Sequence, residues 1–211
     1  MVAYTTWRRT ADVAKHRATE AGATDFDVAT SALADVTGDY TVDAAHSRIG
    51  VRARHAMVTT VRGAFTRFEG AAHLDTAEPQ ASTVSLSIDA ASVDTGQPDR
   101  DAHLVSADFL DVAGHPRITF ASTGVEQVDE DVYRVTGDLT IKGVTRSVAV
   151  DFTLTGSAQD PFGNLRVGFE GALVIRRSEW GVTWNAALET GGVLVSDKIQ
   201  IEFDVSAIKN G

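Results

Sequence analysis

The segment Asp94–Asp111 brings an arginine, a histidine and several aspartates together in a short stretch, DTGQPDRDAHLVSADFLD. Arg100 can pair with an anionic oxygen or donate to a carbonyl oxygen, and His103 can donate or accept a hydrogen bond. The sequence on either side carries little charge. These residue types at this spacing predict the polar end of a ligand site.

Asp43, His46 and Ser47 are the residue types of a hydrolytic triad. Adjacent residues on an extended strand point to opposite faces, however, so His46 and Ser47 would not face each other. The sequence also lacks the G-x-S-x-G motif that places a nucleophilic serine on a sharp turn. Hydrolysis is therefore not predicted, and we expect a protein that is not an enzyme.

A metal site would have to draw on His46, His55, His103 and Asp101. No H-x-H or H-E-x-x-H spacing connects these residues, and the sequence contains no cysteine. Such spacings are what place two ligands on the same side of a helix or strand. No metal site and no cofactor is therefore predicted.

The residues around Arg100 are predicted to form a short helix. Pro98 suits a first helical turn, where its missing N–H has no hydrogen bond to lose. Asp99 would lie near the positive end of the helix dipole. We expect a helix at Pro98–Val105 that ends before Asp108 and interrupts a long run of strands.

From Asp39 onward, apolar residues alternate with polar ones, most clearly between Ile199 and Val205. Strict alternation gives one buried and one solvated face, which is typical of antiparallel sheets. Turn-forming residues separate eight predicted strands, at residues 47–57, 61–75, 82–90, 117–127, 131–142, 145–156, 164–176 and 194–207. With little helix to cover it, such a sheet folds onto itself as a sandwich or a closed barrel. An eight-stranded barrel has room for side chains or for one small ligand.

The length of 211 residues suits one large β domain, and the net charge of −10 argues against a nucleic-acid-binding surface. Residues 1–38 lack the alternation and are predicted to be a loosely ordered tail before a domain at residues 39–211. Arg8 and Arg9 suggest a twin-arginine export signal, but no apolar segment follows them. No apolar run approaches the roughly 20 residues of a membrane span. We therefore expect a cytoplasmic protein without a transmembrane segment.

Large aromatic residues on the inward faces would either pack a solid core or line a cavity, and composition does not distinguish the two. The candidates are Phe65, Phe68, Phe109, Phe120, Phe152, Phe169, Trp180, Trp184 and Phe203. His55 shares the parity of the apolar residues Ile49 and Val51, so it is predicted to face inward as well. It would then either meet a ligand or form a hydrogen bond within the core.

A series of short sequence blocks occurs in order across residues 39–207. The blocks are Tyr40–Asp43, His46–Ser47, Arg54–Val58, Val61–Phe65, Ser92–Gly96, Arg100–Leu104, Asp108–Asp111, Pro116–Phe120, Ser122–Thr123, Gly137–Thr145 and Arg177–Gly181. As an ordered set they resemble the YceI family of lipocalin-like polyisoprenoid-binding proteins. The resemblance implies an all-β fold: an eight-stranded antiparallel, lipocalin-like barrel with an elongated apolar interior and a short helix inserted between strands.

The resemblance also implies a ligand, namely an isoprenoid or other long-chain lipid such as a quinone or a polyprenyl phosphate, bound without catalysis. The inward aromatic residues would line its pore, Arg100, His103 and His55 would contact its head group, and a homodimer is compatible with the family. Arg100 could instead form an ion pair with Asp101 that anchors the helix. Two other functions stay open: an enzyme or electron-transfer accessory acting on a bound quinone or amide, and a filled barrel that recruits a protein partner.

Overall fold

The computed structural model describes residues 36–189 and 191–211. Residues 1–35 of the predicted tail therefore lie outside the described residues. The elements are β1 (Gly38–Val42), β2 (Arg48–His55), β3 (Thr59–Phe65), β4 (Phe68–Leu74), β5 (Thr83–Asp89), β6 (Val93–Asp94), α1 (Pro98–Val105), β7 (Arg117–Gln127), β8 (Val132–Ile141), β9 (Val144–Gln159), β10 (Leu165–Arg176) and β11 (Val195–Lys209). The helix has the predicted bounds. Each predicted strand coincides with one or two observed strands.

The strands form a closed antiparallel barrel. β1 pairs with β4 on one side and with β11 on the other, which closes the sheet. From β4 the order continues through β5, β7, β8, β9 and β10 to β11. Some barrel strands are made of two segments. β1 and β2 together form one strand of the barrel, and β3 and β4 together form another. β6 continues the strand of β5 and pairs with β3. The strands therefore occupy eight positions around the barrel, and the predicted eight-stranded antiparallel barrel is confirmed.

A turn divides the first barrel strand into β1 and β2. The Asp43 carboxylate accepts a hydrogen bond from the Ala45 backbone N–H at 3.0 Å and so stabilises this turn. β1 has only 5 residues before the turn, too few to show alternation, and it is absent from the predicted strands. The Tyr40 hydroxyl donates to the Val36 carbonyl at 2.7 Å, and both residues are buried. The packed domain therefore includes Val36, N-terminal to the predicted boundary at residue 39.

Two clusters of buried side chains lie at opposite ends of the barrel. The helix-end core, against which Leu104 and Val105 of α1 pack, consists of Ile49, Phe65, Ile88, Ala90, Val93, Ile118, Leu139, Ile141, Ile175 and Trp180. The distal core consists of Val36, Tyr40, Leu154, Val167 and Ala207. Val125, Val135 and Val150 are buried but belong to neither cluster. Residues of both clusters face the interior of the barrel.

Arg166 joins the β1–β2 turn to the β9–β10 turn. Its Nη1 donates to Asp43 Oδ2 at 2.6 Å and its Nε donates to Asp160 Oδ2 at 2.9 Å. The hydrogen bond from Arg166, and after it one from His46, lowers the pKa of Asp43 to about 2. Hydrogen bonds from Asn164 and then from Arg166 lower the pKa of Asp160 as well. Both carboxylates therefore stay charged far into the acid range.

Replacing Arg166 by glutamine should lower the free energy of unfolding at neutral pH. It should also make that free energy depend less on pH in the acid range. A carboxylate whose pKa is lower in the folded chain stabilises the fold above its unfolded pKa, near about 4. That stabilisation is lost as the pH falls through the folded pKa, which for Asp43 is about 2. The wild type should therefore lose more stability across this window than Arg166→Gln.

Urea titrations followed by circular dichroism, above and within this acid window, measure the effect. Lys198→Gln is the control, since Lys198 is exposed and has no ion pair within residues 36–189 and 191–211. The control should follow the wild type at every pH. An acid-induced loss of stability in Arg166→Gln as large as that of the wild type would contradict the prediction.

Candidate functional site

An elongated cavity of about 660 Å³ occupies the interior of the barrel. Its wall extends from Val36 and Tyr40 in the distal core to His103 and Trp184 at the helix end. Almost all of this wall is apolar. The predicted elongated apolar interior is therefore present as open space inside the barrel.

The alternation of the strands explains why the wall is apolar. On β9 the even-numbered residues from Val148 to Leu154 line the cavity, and the odd-numbered residues between them are exposed. On β11 the odd-numbered residues from Ile199 to Ala207 line it. Because successive side chains of a strand point to opposite faces, the polar partners of these residues lie outside the barrel.

The predicted aromatic residues fall into two groups. Those that line the cavity are Phe65, Phe109, Phe120, Phe152, Phe169, Trp180, Trp184 and Phe203. Phe68, the first residue of β4, instead pairs in register with Ile88 and packs half-buried against the helix-end core. It is a core residue rather than part of the cavity wall.

The helix α1 is tied to the strand before it through Thr95. Arg100 Nε donates to Thr95 Oγ1 at 2.6 Å, and one Arg100 Nη donates to the Thr95 carbonyl at 2.9 Å. The Asp101 carboxylate accepts hydrogen bonds from the Thr95 N–H and hydroxyl. The alternative of a direct Arg100–Asp101 ion pair is therefore not what the structure shows. Arg100 also lines the cavity, whereas Asp101 connects α1 to Thr95 in the segment that precedes the helix.

His103 is packed within an aromatic group at the helix end of the cavity. Its ring meets Phe109 edge-on at 5.0 Å and Trp184 at 4.6 Å between centroids. Its Nε2 lies 2.9 Å from Asp108 Oδ2. The carboxylate fixes the orientation of the imidazole, whose ring contributes to the cavity wall.

His55 is the last residue of β2 and lines the cavity, in agreement with its predicted inward parity. It pairs in register with Thr59 of β3 and Val195 of β11. Its half-buried imidazole has no hydrogen bond to another residue in the described part of the chain. The alternative of a core histidine bonded to a neighbour is therefore not observed there.

Arg177, directly after β10, lines the same end of the cavity and was not among the predicted site residues. Its residue surface is only 7% exposed. The sequence held a signal for it, because Leu173 and Ile175 face inward and the alternation continued by two residues places Arg177 inward too. A charged residue at a position where alternation predicts an apolar one is a candidate site residue.

The residues considered for other chemistry are not brought together. The Ser47 hydroxyl donates to the Ser206 carbonyl at 3.2 Å, whereas His46 Nδ1 lies 2.7 Å from Asp43 Oδ2. Serine and histidine therefore do not form a nucleophile–base pair in this structure. Within the described residues, no group of three or more His, Asp or Glu side chains could hold a metal ion.

A closed barrel of eight strand positions around an apolar cavity, with a helix at one end, is the architecture of lipocalin-like proteins. More specifically, this chain belongs to the YceI-like family, whose domain model matches residues 40–207. The resemblance noted in the sequence is therefore confirmed. In the described part of the chain, no helix has the length and apolar character needed to cross a membrane.

Individual relatives agree with this assignment. A UPF0312 protein of Azotobacter vinelandii is 37% identical over 149 residues, which is 70% of this chain and 78% of the relative. The crystal structure of BcnA from Burkholderia cenocepacia is similar with a TM-score of 0.70 and 29% identity, covering 78% of this chain and 98% of that one. A polyisoprenoid-binding domain from Saccharophagus degradans has a TM-score of 0.62 at 17% identity, over 81% and 98% of the two chains, and shares the fold.

Proposed function

We propose that this protein binds an isoprenoid or another long-chain lipid inside the barrel and sequesters or carries it without converting it. The observation that carries the proposal is the apolar cavity of about 660 Å³ inside the barrel, which residues of both cores line. Each CH₂ group buried there stabilises a complex by about 0.8 kcal/mol, so a few isoprene units offset the cost of association. A barrel that only recruits a protein partner would have no need of this open interior.

The polar residues of the wall give the bound lipid an orientation. Arg100, His103 and His55 line the cavity toward the helix end, where Leu104 and Val105 of α1 pack, and the rest of the wall is mostly apolar. A tail buried among Val125, Val135 and their neighbours would place its head group near these three side chains. Few polar partners are needed, because the tail supplies most of the affinity.

Mass spectrometry of an organic extract tests this function directly. Protein purified without detergent should release a stoichiometric long-chain lipid, and an Arg100→Ala, His55→Ala double variant should release less of it. Both substitutions remove hydrogen-bonding groups from the cavity wall, whereas an Arg134→Ala, His73→Ala control removes the same residue types from exposed ion pairs. The control should retain as much lipid as the wild type.

The outcomes separate the candidate functions. No lipid in the extract, together with no uptake of an added quinone, would contradict the cavity as a lipid site. Equal amounts of lipid extracted from the wild type and the double variant would support a lipid site to which Arg100 and His55 do not contribute. Recovery of a chemically altered quinone after incubation would favour an enzyme over a carrier.

A further inference from the structure

Two arginines at the helix end of the cavity, the half-buried Arg100 and the buried Arg177, have no carboxylate partner among the described residues. Within residues 36–189 and 191–211, neither Arg100 nor Arg177 has a carboxylate oxygen within 4.0 Å. Other described arginines either form such ion pairs or are exposed: Arg48, Arg52, Arg54, Arg62, Arg67, Arg117, Arg134, Arg146, Arg166 and Arg176. Acidic residues outnumber basic ones in this chain, which has a net charge of −10, yet these two arginines at the cavity have no acidic partner within the part of the chain that the structure describes.

Arg177 is held by neutral groups only. Its Nε donates to the Ser196 carbonyl at 3.1 Å, and one Nη donates to the Val182 carbonyl at 2.7 Å. The other Nη lies 3.5 Å from the Val195 carbonyl, a long contact. A guanidinium has five N–H donors, so these contacts leave donors available. The backbone thus orients the cation without neutralising it.

The surroundings of Arg177 compensate its charge only in part. The residue is 7% exposed, and burial lowers the pKa of its guanidinium while the charge of Asp197 acts in the opposite direction. Asp197 itself accepts a hydrogen bond from the Ser178 N–H at 3.0 Å and lies 3.8 Å from Arg176. Neutral carbonyls satisfy part of the hydrogen bonding of Arg177, but hydrogen bonds to an ionised acceptor are roughly twice as strong. An anion entering the cavity would supply such an acceptor.

The two arginines belong to one group of side chains. The Arg177 guanidinium carbon lies 5.9 Å from the centre of the Phe109 ring, which in turn contacts His103 and Trp184. Arg100 comes from the same helix as His103, and all of these side chains line the cavity. Asp99, on the first turn of this helix, also lines the cavity but is exposed. The buried part of this end is therefore positively charged.

We propose that this helix-end cluster, consisting of Arg100, His103, Phe109, Arg177 and Trp184, binds an anionic head group, a phosphate or a carboxylate. Arg177 is the residue that distinguishes an anionic amphiphile from a neutral one. Planar guanidinium groups match the geometry of both anions. The inference rests on the proposed lipid-binding function and narrows its ligand to acidic long-chain lipids.

Matched ligands with one tail test the inference. N-phenyl-1-naphthylamine, an uncharged fluorescent probe, is bound to the wild type and then displaced by dodecanol or by dodecyl phosphate below its micelle concentration. Dodecyl phosphate should bind about ten- to a hundredfold more tightly, the difference expected for hydrogen bonds to a charged group. Inorganic phosphate in large excess should displace neither the probe nor dodecyl phosphate, because it lacks the tail.

Variants assign the selectivity to residues. Arg177→Gln should remove most of the preference for dodecyl phosphate and leave dodecanol binding within about twofold, while Arg177→Lys should restore part of the preference. Arg100→Gln should reduce the preference by a smaller factor, because Arg100 is only half-buried. Arg146→Gln, which removes an exposed cation outside the cavity, is the control and should keep the full preference.

Each result decides the inference. Equal binding of dodecanol and dodecyl phosphate by the wild type would overturn the anionic head group while leaving lipid binding intact. Failure of the probe and both ligands to bind would overturn the lipid-binding function itself. A parallel loss of both ligands in Arg177→Gln would show a structural role and overturn its assignment. If Arg177→Gln does not fold, Arg177→Lys and Arg100→Gln carry the test, and a full preference for dodecyl phosphate in both would overturn the site.

Discussion

Replacing Val150 by tryptophan should weaken the binding of long-chain lipids by about 100-fold. Val150 is an inward-facing residue of β9 and lines the cavity. An indole ring there would occupy the room of three or four CH₂ groups of a bound tail. At about 0.8 kcal/mol for each group, the lost burial amounts to roughly 3 kcal/mol, or two powers of ten in affinity. Displacement titrations with N-phenyl-1-naphthylamine and dodecanol measure it.

Ala149→Trp is the matched control, because Ala149 is the neighbouring residue on the same strand and points outward. It adds a larger side chain to the solvated face and should leave lipid affinity within about twofold. Both variants should stay folded by circular dichroism, since the new indole of Val150→Trp enters a cavity rather than a packed core. Unchanged lipid affinity in folded Val150→Trp would show that the tail does not occupy this section of the barrel.

Replacing Trp180 by alanine should lower the free energy of unfolding by about 3–5 kcal/mol. Trp180 is 2% exposed within the helix-end core, and its Nε1 donates to the Leu139 carbonyl at 3.1 Å. Truncation removes a large buried ring together with this hydrogen bond. A loss of this size is a large part of the 5–15 kcal/mol that typically separates folded from unfolded domains. Urea unfolding followed by circular dichroism measures the change.

Two further variants separate packing from the hydrogen bond. Trp180→Phe keeps much of the buried ring but loses the donor, so it should cost less than Trp180→Ala. Trp184→Ala removes the same side chain from a half-buried position in the cavity wall and should also cost less. Destabilisation by Trp184→Ala as large as that by Trp180→Ala would contradict the prediction that the deeper burial of Trp180 sets its larger cost.

The strands and the helix were largely predictable because they depend on neighbouring residues. Alternation located the strands after Arg48, and Pro98 with its acidic neighbours located α1 at the observed bounds. β1 was missed because the turn stabilised by Asp43 interrupts it after 5 residues, before a period of two can be recognised. Closure through its pairing with β4 and β11 joins residues far apart in the chain.

The candidate site was predictable only in part. Inward parity identified His55 and most of the aromatic wall, since the direction of a side chain follows from its position along a strand. The same parity placed Phe68 inward, but its packing against the helix-end core keeps it out of the cavity wall. Arg100 was recognised as a candidate, yet its partner is Thr95 rather than Asp101. Hydrogen-bond partners depend on distances that spacing in the sequence does not specify.

The sequence by itself determined an antiparallel, eight-stranded all-β domain with an apolar interior, a short polar helix and membership of the YceI-like family. These properties follow from local alternation, turn residues and ordered motifs. Only the tertiary structure decided that the interior is open and that Arg177 lines it with backbone carbonyls as its hydrogen-bond partners. The physical reason is that cavities and the partners of buried charges depend on side chains brought together from distant strands, where packing, rather than sequence neighbourhood, sets the contacts.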